Sequence, residues 1–419
     1  CNFAPMRILY NLGMILLDRL MKIGSKRSAK LKLAINGRKN TFEAVKSFKK
    51  ASPSPLVWFH VASLGEYLQA KPVIAAFKKE YPLWGVAVSF FSPSGYEQAI
   101  KKKQDWVDFM CYLPIDTPTN ANRFVDLLSP DMVFFVKYDL WANTILAIKT
   151  RKIPLYLVAA SFRKEQVYFS WYGKFFKDIL LCFDHIFVQN QVSKKLLDEL
   201  GVRKVSITGD PRFDNVYKTS LSPKLFPEIQ QQLVQKVMVL GSVWQEDMNN
   251  LIPFINQSKD IQFIIAPHDI DNEIIENWQK AITLPSVKYS EFKNQEQPQA
   301  WKVLVIDNIG MLSSLYQFAH WAYIGGAIGK GLHNILEPLA FGIPVLYGPL
   351  KKVSKFPEAG ISEEYGCGFP VKDESEIKSV IVKLSEEKDY EKACKAAKKL
   401  VGDNLGSADN TMAIIKKER

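Results

Sequence analysis

A regular alternation of short apolar runs with stretches of helical periodicity is the feature that most constrains the fold of this chain. The runs in the first half read LVWFHVA, WGVAVSFF, DFMCYLP, MVFFVK, PLYLVAAS, HIFVQN and VSITGD. They are rich in β-branched and aromatic residues, as strands buried on both faces are. Strands that alternate with helices predict an α/β fold, in which helices cover both faces of a parallel sheet.

The alternation pauses at residues 218–235, KTSLSPKLFPEIQQQLVQ, and then restarts with KVMVLGS, IQFIIAP, WKVLVID, HWAYIGG and IPVLYGP. This segment is polar and contains two prolines, so we predict that it is an interdomain linker. A chain of 419 residues with 47% hydrophobic content can bury two cores. We therefore predict two doubly wound, Rossmann-like domains, 51–217 and 236–419, that face a cleft lined by the carboxyl ends of their strands.

The amino-terminal segment, residues 6–50, combines an apolar helix with a basic stretch. Residues 8–23, ILYNLGMILLDRLMKI, have broadly helical apolar spacing but are too short and too charged to span a bilayer. Residues 22–50 hold ten basic side chains against one acid, Glu43. This combination favours a helix lying on an anionic membrane surface, and the alternative is a helix docked on the protein's own core. Nucleic acid is disfavoured as a partner, because the charge is not interleaved with stacking aromatics.

Cysteine spacing and short motifs exclude several other classes. The five cysteines form no CxxC pair and lie near no histidine cluster, so we expect neither disulfides nor a metal site, in a reducing cytoplasmic setting. The chain has no GxxxxGK[ST] motif and no strand-anchored GxGxxG. NTP hydrolysis and nicotinamide chemistry are therefore weakly supported, and we expect no cofactor.

Polar and glycine residues follow several predicted strands of the second half. With their immediate neighbours, the candidate binding residues at these strand ends are Ser242, Pro267, His268, Gly310, Met311, Leu312, Asn334 and Glu337. Free N–H groups at a helix start, with glycine allowing close approach, can bind phosphate without a metal. Asn334 and Glu337 are spaced to share one face of a helix opening at His333, where a carboxylate could hold ribose hydroxyls or a base amino group. The alternatives are ordinary tight turns and helix caps.

In the first half, the run VWFHVASLGE breaks at Ser63-Leu64-Gly65 and places Glu66 in the first turn of the next helix. A carboxylate in a first helical turn can complement the helix dipole.

Six segments together give a specific resemblance. They are HVASLGE (60–66), LPIDTP (113–118), VKYDLWAN (136–143), GDPRFDN (209–215), APHD (266–269) and GGAIGKGLHNILEPLAFGIPVLYGP (325–349). The chain resembles the Kdo (3-deoxy-D-manno-octulosonic acid) transferases of lipopolysaccharide synthesis, which are GT-B glycosyltransferases. The match runs from about Met6 to the last helix, and residues 1–5, CNFAP, are interpreted as a leader.

The resemblance implies an inverting transfer of Kdo from CMP-Kdo to the lipid A precursor, a tetraacyl disaccharide bisphosphate. It implies a peripheral or monotopic enzyme at the cytoplasmic face of the bacterial inner membrane. Glu66 would be the general base and Asp139 an accessory catalytic residue, with Ser63, Gly65 and Lys137 on the acceptor side. The eight residues of the second half would bind the CMP donor, without metal or cofactor.

The chain departs from the common family pattern at two places. Where many members have ETELWPN, this chain has KYDLWAN at 137–143, so one carboxylate is replaced by Lys137 and the other is shortened to Asp139. Where many have PRH, this chain has Pro267-His268-Asp269, which replaces a permanent cation with a titratable one.

Two alternatives to Kdo transfer follow from the same sequence. One is a GT-B transferase or epimerase that uses a UDP-sugar. The other is a catalytically degenerate, membrane-bound nucleotide-binding protein, which the loss of a carboxylate at Lys137 favours.

Overall fold

The computed structural model describes residues 4–51, 55–101, 106–294, 300–352 and 355–418. Residues 1–3 of the predicted leader lie outside these ranges. The chain forms two compact units: unit 1 is Cys1–Asn215 with Leu405–Arg419, and unit 2 is Val216–Asn404.

Unit 1 is built on a parallel sheet of seven strands in the order β3-β2-β1-β4-β5-β6-β7. The strands are β1 (Leu56–Val61), β2 (Gly85–Phe90), β3 (Phe109–Tyr112), β4 (Met132–Val136), β5 (Leu155–Ala160), β6 (His185–Val188) and β7 (Val205–Ile207). The helices are α1 (Ala4–Gly24), α2 (Ala29–Lys39), α3 (Thr41–Ala51), α4 (Leu64–Glu80), α5 (Pro93–Ile100), α6 (Pro118–Leu128), α7 (Ala142–Thr150), α8 (Lys174–Leu180), α9 (Gln191–Glu199) and α10 (Pro211–Leu221), with a 3₁₀ turn at Val167–Phe169. All seven strands predicted for the first half are present.

Unit 2 repeats the plan, with seven parallel strands in the order β10-β11-β9-β8-β12-β13-β14. The strands are β8 (Lys236–Val243), β9 (Ile261–Pro267), β10 (Ser286–Lys288), β11 (Val303–Val305), β12 (Trp321–Ile324), β13 (Val345–Tyr347) and β14 (Gly368–Pro370). The helices are α11 (Pro227–Gln230), α12 (Gln245–Gln257), α13 (Asn272–Ala281), α14 (Tyr289–Lys293), α15 (Leu312–Leu315), α16 (Leu336–Ala340), α17 (Pro357–Tyr365), α18 (Glu374–Lys383) and α19 (Glu387–Asp403), with a 3₁₀ turn at Tyr316–Phe318. The predicted doubly wound α/β architecture is confirmed.

The predicted boundaries of the second domain, 236–419, need correction at both ends. The last helix, α20 (Ser407–Glu418), joins unit 1, because Ala408, Met412 and Ile415 pack into the core cluster beneath β1 and α4. The carboxylate of Asp214 accepts hydrogen bonds from the N–H groups of Gly406 and Ala408 and so holds the start of this helix. At the other end, the predicted linker 218–235 lies within unit 2.

Helix α1 is apolar on two faces. Tyr10, Met14, Leu17 and Met21 form one stripe, which packs on unit 1. The opposite face, the exposed stripe, consists of Ile8, Leu9, Leu12, Ile15, Leu16, Leu20 and Ile23. One face therefore docks on the protein, as the alternative reading expects, while the other presents apolar side chains to the surroundings, and attachment to a membrane stays a prediction. No helix in the described ranges has the length and apolar character needed to cross a membrane.

Asp116, from the LPIDTP segment, ties α1 and α7 to the sheet. Its side chain is buried and accepts hydrogen bonds from the N–H groups of Asn143 and Thr144, from the Thr144 hydroxyl, and from the Tyr10 hydroxyl at 2.7 Å. A motif that carried the family resemblance thus has a structural role.

Replacing Asp116 with alanine should destabilise unit 1 by about 3 kcal/mol, because several buried donors would lose their shared acceptor. Tyr10→Phe removes only one of these bonds and should cost about 1 kcal/mol. Denaturant unfolding monitored by circular dichroism measures both. Equal stability of Asp116→Ala and the unmodified chain would contradict this role.

Candidate active site

The strand order of each sheet identifies where a site should lie. In unit 1 the chain winds outward from β1 in one direction through β2 and β3 and in the other through β4 to β7. Ligands of doubly wound sheets bind at the carboxyl ends of the two strands where the direction reverses. Here those strands are β1 and β4, which are paired. Glu66 follows β1 and Asp139 follows β4, so topology brings the two predicted catalytic carboxylates to one place.

Glu66 lies in the first turn of α4 and is nearly buried, with 9% of its surface exposed. Its Oε2 accepts hydrogen bonds from the N–H groups of Ala62 and Ser63, so the carboxylate caps its own turn. Burial, reinforced by the charge of Asp139, raises the pKa of Glu66 to about 7, while Lys137 acts in the opposite direction. Both hydrogen bonds end on Oε2. Among the described contacts Oε1 accepts no hydrogen bond, so it is the oxygen that can take a proton.

Asp139 accepts a hydrogen bond from Trp141, and His60 lies beside both; sequence reasoning missed Trp141 and His60 as site residues. Trp141 Nε1 donates to Asp139 Oδ2 at 2.8 Å, and His60 Nε2 lies 3.4 Å from the same oxygen. Trp141 Nε1 also donates to His60 Nε2 at 2.9 Å, which requires an unprotonated Nε2 and places the ring proton on Nδ1, 2.9 Å from Ser89 Oγ. The signal in the sequence is a single polar residue, His60, within an otherwise apolar strand. This network holds the Asp139 carboxylate in place, and the negative charge of that carboxylate raises the pKa of Glu66.

The predicted acceptor-side residues adjoin the carboxylates. Ser63 is the N-cap residue of α4. A Cβ added to Gly65 would meet no atom closer than 3.9 Å, so the space beside this turn is open. Lys137 directly follows β4 and has a φ of 65°, a left-handed conformation unusual for lysine, and its N–H donates to the carbonyl of Val158.

In unit 2 the winding direction reverses between β8 and β12, which are also paired. A cavity of about 270 Å³ opens here, and its lining consists of Ser242, His268, Gly310, Leu312, Ser313, Tyr316, Ile324, His333, Asn334 and Glu337. Six of the eight predicted donor residues are in this set. The other two, Pro267 and Met311, are buried beside it as the last residue of β9 and the residue before α15.

Asp247 builds this cavity although it does not line it. Its carboxylate is fully buried and accepts hydrogen bonds from the N–H groups of Trp244 and Gly326 and from the hydroxyl of Tyr323. It therefore joins the start of α12 to the end of β12. A Cβ at Gly325 would lie 2.5 Å from the carbonyl oxygen of Ser242, so only glycine fits between the two strand ends.

Asn334 and Glu337 are neighbours, but the predicted helix opening at His333 is wrong. Helix α16 begins at Leu336, and Asn334 lies two residues before it, where its Oδ1 accepts a hydrogen bond from the N–H of Leu336. Asn334 Nδ2 donates to Glu337 Oε1 at 3.2 Å. Burial raises the pKa of Glu337 to about 7. The hydroxyl of Tyr316, whose pKa burial raises well above its usual value, stays protonated and is a donor at the same cavity.

Three rings stack at the edge of the cavity. The centroid of His268 lies 4.4 Å from that of Trp244 and 4.2 Å from that of His333. Trp244 Nε1 donates to His333 Nε2 at 3.0 Å, and burial lowers the pKa of His333 to about 4. His333 is therefore neutral near pH 7. Lys330 Nζ lies 3.5 Å from the outer face of Trp244. Sequence reasoning missed Trp244 and Lys330, although Trp244 directly follows β8 and this position at a strand end could have identified it.

Metal-binding geometry is not found in the described ranges: no group of three or more His, Cys, Asp or Glu side chains there could hold a metal ion. The described cysteines, Cys111, Cys182, Cys367 and Cys394, are free thiols.

Comparison with known proteins agrees with these features. The family described as 3-deoxy-D-manno-octulosonic-acid transferase (kdotransferase) matches residues 37–215, and the polysaccharide pyruvyl transferase family matches 128–321. A 3-deoxy-D-manno-octulosonic acid transferase of Aquifex aeolicus is 28% identical over 363 residues, 85% of this chain and 91% of the relative. One of Chlamydophila psittaci is 26% identical over 339 residues, 79% of this chain and 77% of the relative.

Among solved structures, the UDP-GlcNAc 2-epimerase of Neisseria meningitidis is similar in fold, with a TM-score of 0.61 at 16% identity. The similarity covers 87% of this chain and 100% of that one. These matches show similarity to Kdo transferases over most of the chain, and the two doubly wound sheets have the GT-B fold.

Proposed function

We propose that this chain transfers Kdo from CMP-Kdo to a lipid A precursor with inversion at the anomeric carbon. The observation that carries the proposal is the match to curated Kdo transferases over most of the chain. The geometry adds a carboxylate of raised pKa at the switch point of unit 1 and a polar cavity at that of unit 2. Such a transfer is a step of lipopolysaccharide synthesis.

Glu66 is the proposed general base. An acceptor hydroxyl attacks the anomeric carbon of Kdo, its proton moves to Glu66 Oε1, and the bond to the CMP phosphate breaks as CMP leaves with the electron pair. A pKa of about 7 suits this role, because about half of the carboxylate is ionised at pH 7 and the ionised form is basic enough to take a proton. Asp139 acts as the charge that keeps Glu66 basic, and Lys137 is available to an acceptor phosphate.

The donor is assigned to the cavity of unit 2. Ser242 and the Gly310–Leu312 turn lie at strand ends where backbone N–H groups can meet the phosphate. Glu337 and Asn334 supply an acceptor and a donor for ribose or cytosine. The stack of Trp244, His268 and His333 offers an aromatic face beside them.

Membrane attachment is proposed through α1. A glycolipid acceptor keeps its acyl chains in the bilayer, so the enzyme must work at that surface. The exposed stripe of α1 is apolar, and Lys26, Arg27, Lys30 and Lys32 are exposed directly after it. This arrangement suits a peripheral protein on the anionic cytoplasmic face of the inner membrane.

Turnover decides the proposal. The protein is incubated with freshly generated CMP-Kdo and a bisphosphorylated lipid A precursor, and the lipid product is weighed by mass spectrometry. We expect a product heavier by whole Kdo units. Binding of UDP in place of CMP, without such a product, would instead support a UDP-sugar enzyme, and CMP binding without turnover a degenerate one.

Glu337→Gln should weaken CMP binding by roughly tenfold to a hundredfold above pH 7, because a charged hydrogen bond is lost. Below about pH 7 the unmodified protein should also lose CMP affinity, since the Glu337 carboxyl becomes protonated. The Gln variant lacks this titration. The CMP phosphate titrates in the same way with both proteins, so the ratio of their CMP affinities reports Glu337 alone. Calorimetry between roughly pH 6 and 8 measures both effects. Equal affinities at every pH would place the nucleotide elsewhere.

A further inference from the structure

Two adjacent aromatic side chains, Trp171 and Tyr172, stand out on the surface of unit 1. With 94% of its surface exposed, Trp171 is the most exposed large apolar side chain in the described ranges, and Tyr172 is exposed beside it. The two rings meet edge to face at 5.6 Å. A single exposed apolar residue needs no explanation, but two together on one turn form a patch.

The turn that carries them has a defined backbone. The N–H of Ser170 donates to the carbonyl of Val167, and the N–H of Gly173 to the carbonyl of Ser170. A Cβ at Gly173 would lie 1.8 Å from the carbonyl oxygen of Val167, so the chain is packed tightly where it leaves the turn. The aromatic pair is therefore presented by an ordered backbone.

The turn lies beside the proposed membrane helix. Phe175 and Phe176, at the start of α8, contact the Tyr10 ring of α1 at 5.7 and 6.5 Å between centroids. Trp171 is four residues before Phe175, so the turn lies near Tyr10, in the amino-terminal half of α1. The segment follows β5, and thus the turn is at the carboxyl edge of the sheet, as Glu66 and Asp139 are.

The chemistry of the turn fits a lipid surface. Tryptophan and tyrosine favour the interface between headgroups and acyl chains, because their rings are apolar at one end and polar at the other. Lys164 and Lys174 are exposed on either side of the pair, and the basic segment 22–50 follows α1. This excess of positive charge favours an anionic bilayer as the occupant.

We propose that the Trp171–Tyr172 turn is a second membrane contact, which enters the headgroup region of an anionic bilayer next to α1. The inference rests on the proposed attachment of α1. A helix lying on a membrane can roll about its axis, whereas a second contact away from that axis prevents rolling. The pair would therefore fix how the sheet edge that bears Glu66 is turned towards a lipid acceptor.

The test uses the full chain with vesicles of phosphatidylglycerol and phosphatidylcholine in equal parts. W171S/Y172S should bind roughly tenfold more weakly in co-sedimentation, while unchanged thermal melting shows that it is folded. Trp106→Ser is the matched control, because Trp106 is also exposed but precedes β3, at the opposite edge of the sheet. This control should bind as the unmodified chain does.

A second measurement locates Trp171 without weakening the contact. Brominated lipids quench tryptophan close to acyl chains, so part of the fluorescence of the unmodified protein should be quenched on binding. Trp171→Phe keeps an apolar ring and should lose that quenched part. Two results together would overturn the proposal and leave α1 attachment intact: W171S/Y172S binds vesicles normally, and the unmodified protein and Trp171→Phe are quenched to the same extent. Loss of a dimer in W171S/Y172S, seen by sedimentation, would overturn it in favour of a second copy as the occupant.

Discussion

Glu66→Gln is expected to lower turnover by roughly a hundredfold or more, the scale of a lost general base. Glutamine has the same shape, and its carbonyl oxygen can still accept the N–H groups of Ala62 and Ser63 that Glu66 Oε2 accepts now. The variant therefore keeps the cap of α4 and removes only the proton acceptor. Thermal melting and CMP affinity should hardly change, and a variant with near-normal turnover would reduce Glu66 to a helix cap.

The pH dependence of the same reaction gives an independent test. Because burial and Asp139 raise the pKa of Glu66 to about 7, kcat at saturating CMP-Kdo should fall as the pH drops below that value and the base becomes protonated. Asp139→Asn removes a neighbouring negative charge, so the pKa of Glu66 falls and the acid limb of the profile should move to lower pH. An acid limb that stays in place would show that Asp139 does not act on the base.

Most strands could be predicted because they are buried on both faces. β4 and β5 are continuous apolar runs and β1 is interrupted only by His60, whereas a strand with one exposed face would alternate apolar and polar residues. β10 and β14 were missed, since each has three residues, lies at an edge of the sheet and is partly exposed. An edge strand this short is specified by the neighbour with which it pairs rather than by its own sequence.

The return of α20 to unit 1 could not be predicted either. Its amphipathic pattern shows that one face is buried but does not identify the partner. The partner is set by Asp214, 192 residues earlier, whose carboxylate caps the helix start. Contacts at this separation depend on the assembled fold.

The candidate site was predictable at the level of strand ends and not at the level of side-chain networks. Parallel strands present their carboxyl ends at one edge, which is why Ser242, His268 and Gly310 line one cavity. The groups that hold such residues in place come from elsewhere. His60 lies within a strand, and Asp247 reads as an ordinary acidic residue in a first helical turn.

The exposed stripe of α1 should supply most of the apolar binding to membranes. Changing Leu9, Leu12, Leu16 and Leu20 to serine leaves the docked stripe of Tyr10, Met14, Leu17 and Met21 in place, so the fold should persist, whereas removing the whole helix would expose the core beneath it. A leucine that partly enters the headgroup layer contributes about 1 kcal/mol, so four changes should weaken binding to vesicles by a hundredfold or more, roughly.

A second variant separates charge from apolar contact. Changing Lys26, Arg27, Lys30 and Lys32 to glutamate should weaken binding most at low salt, because such attraction is screened within about 8 Å at physiological ionic strength. The serine variant should weaken binding at every salt concentration, since burial of leucine does not depend on screening. CMP binding belongs to unit 2 in our proposal and should survive in both. A folded serine variant that co-sediments with anionic vesicles as well as the unmodified chain would mean that α1 only braces unit 1.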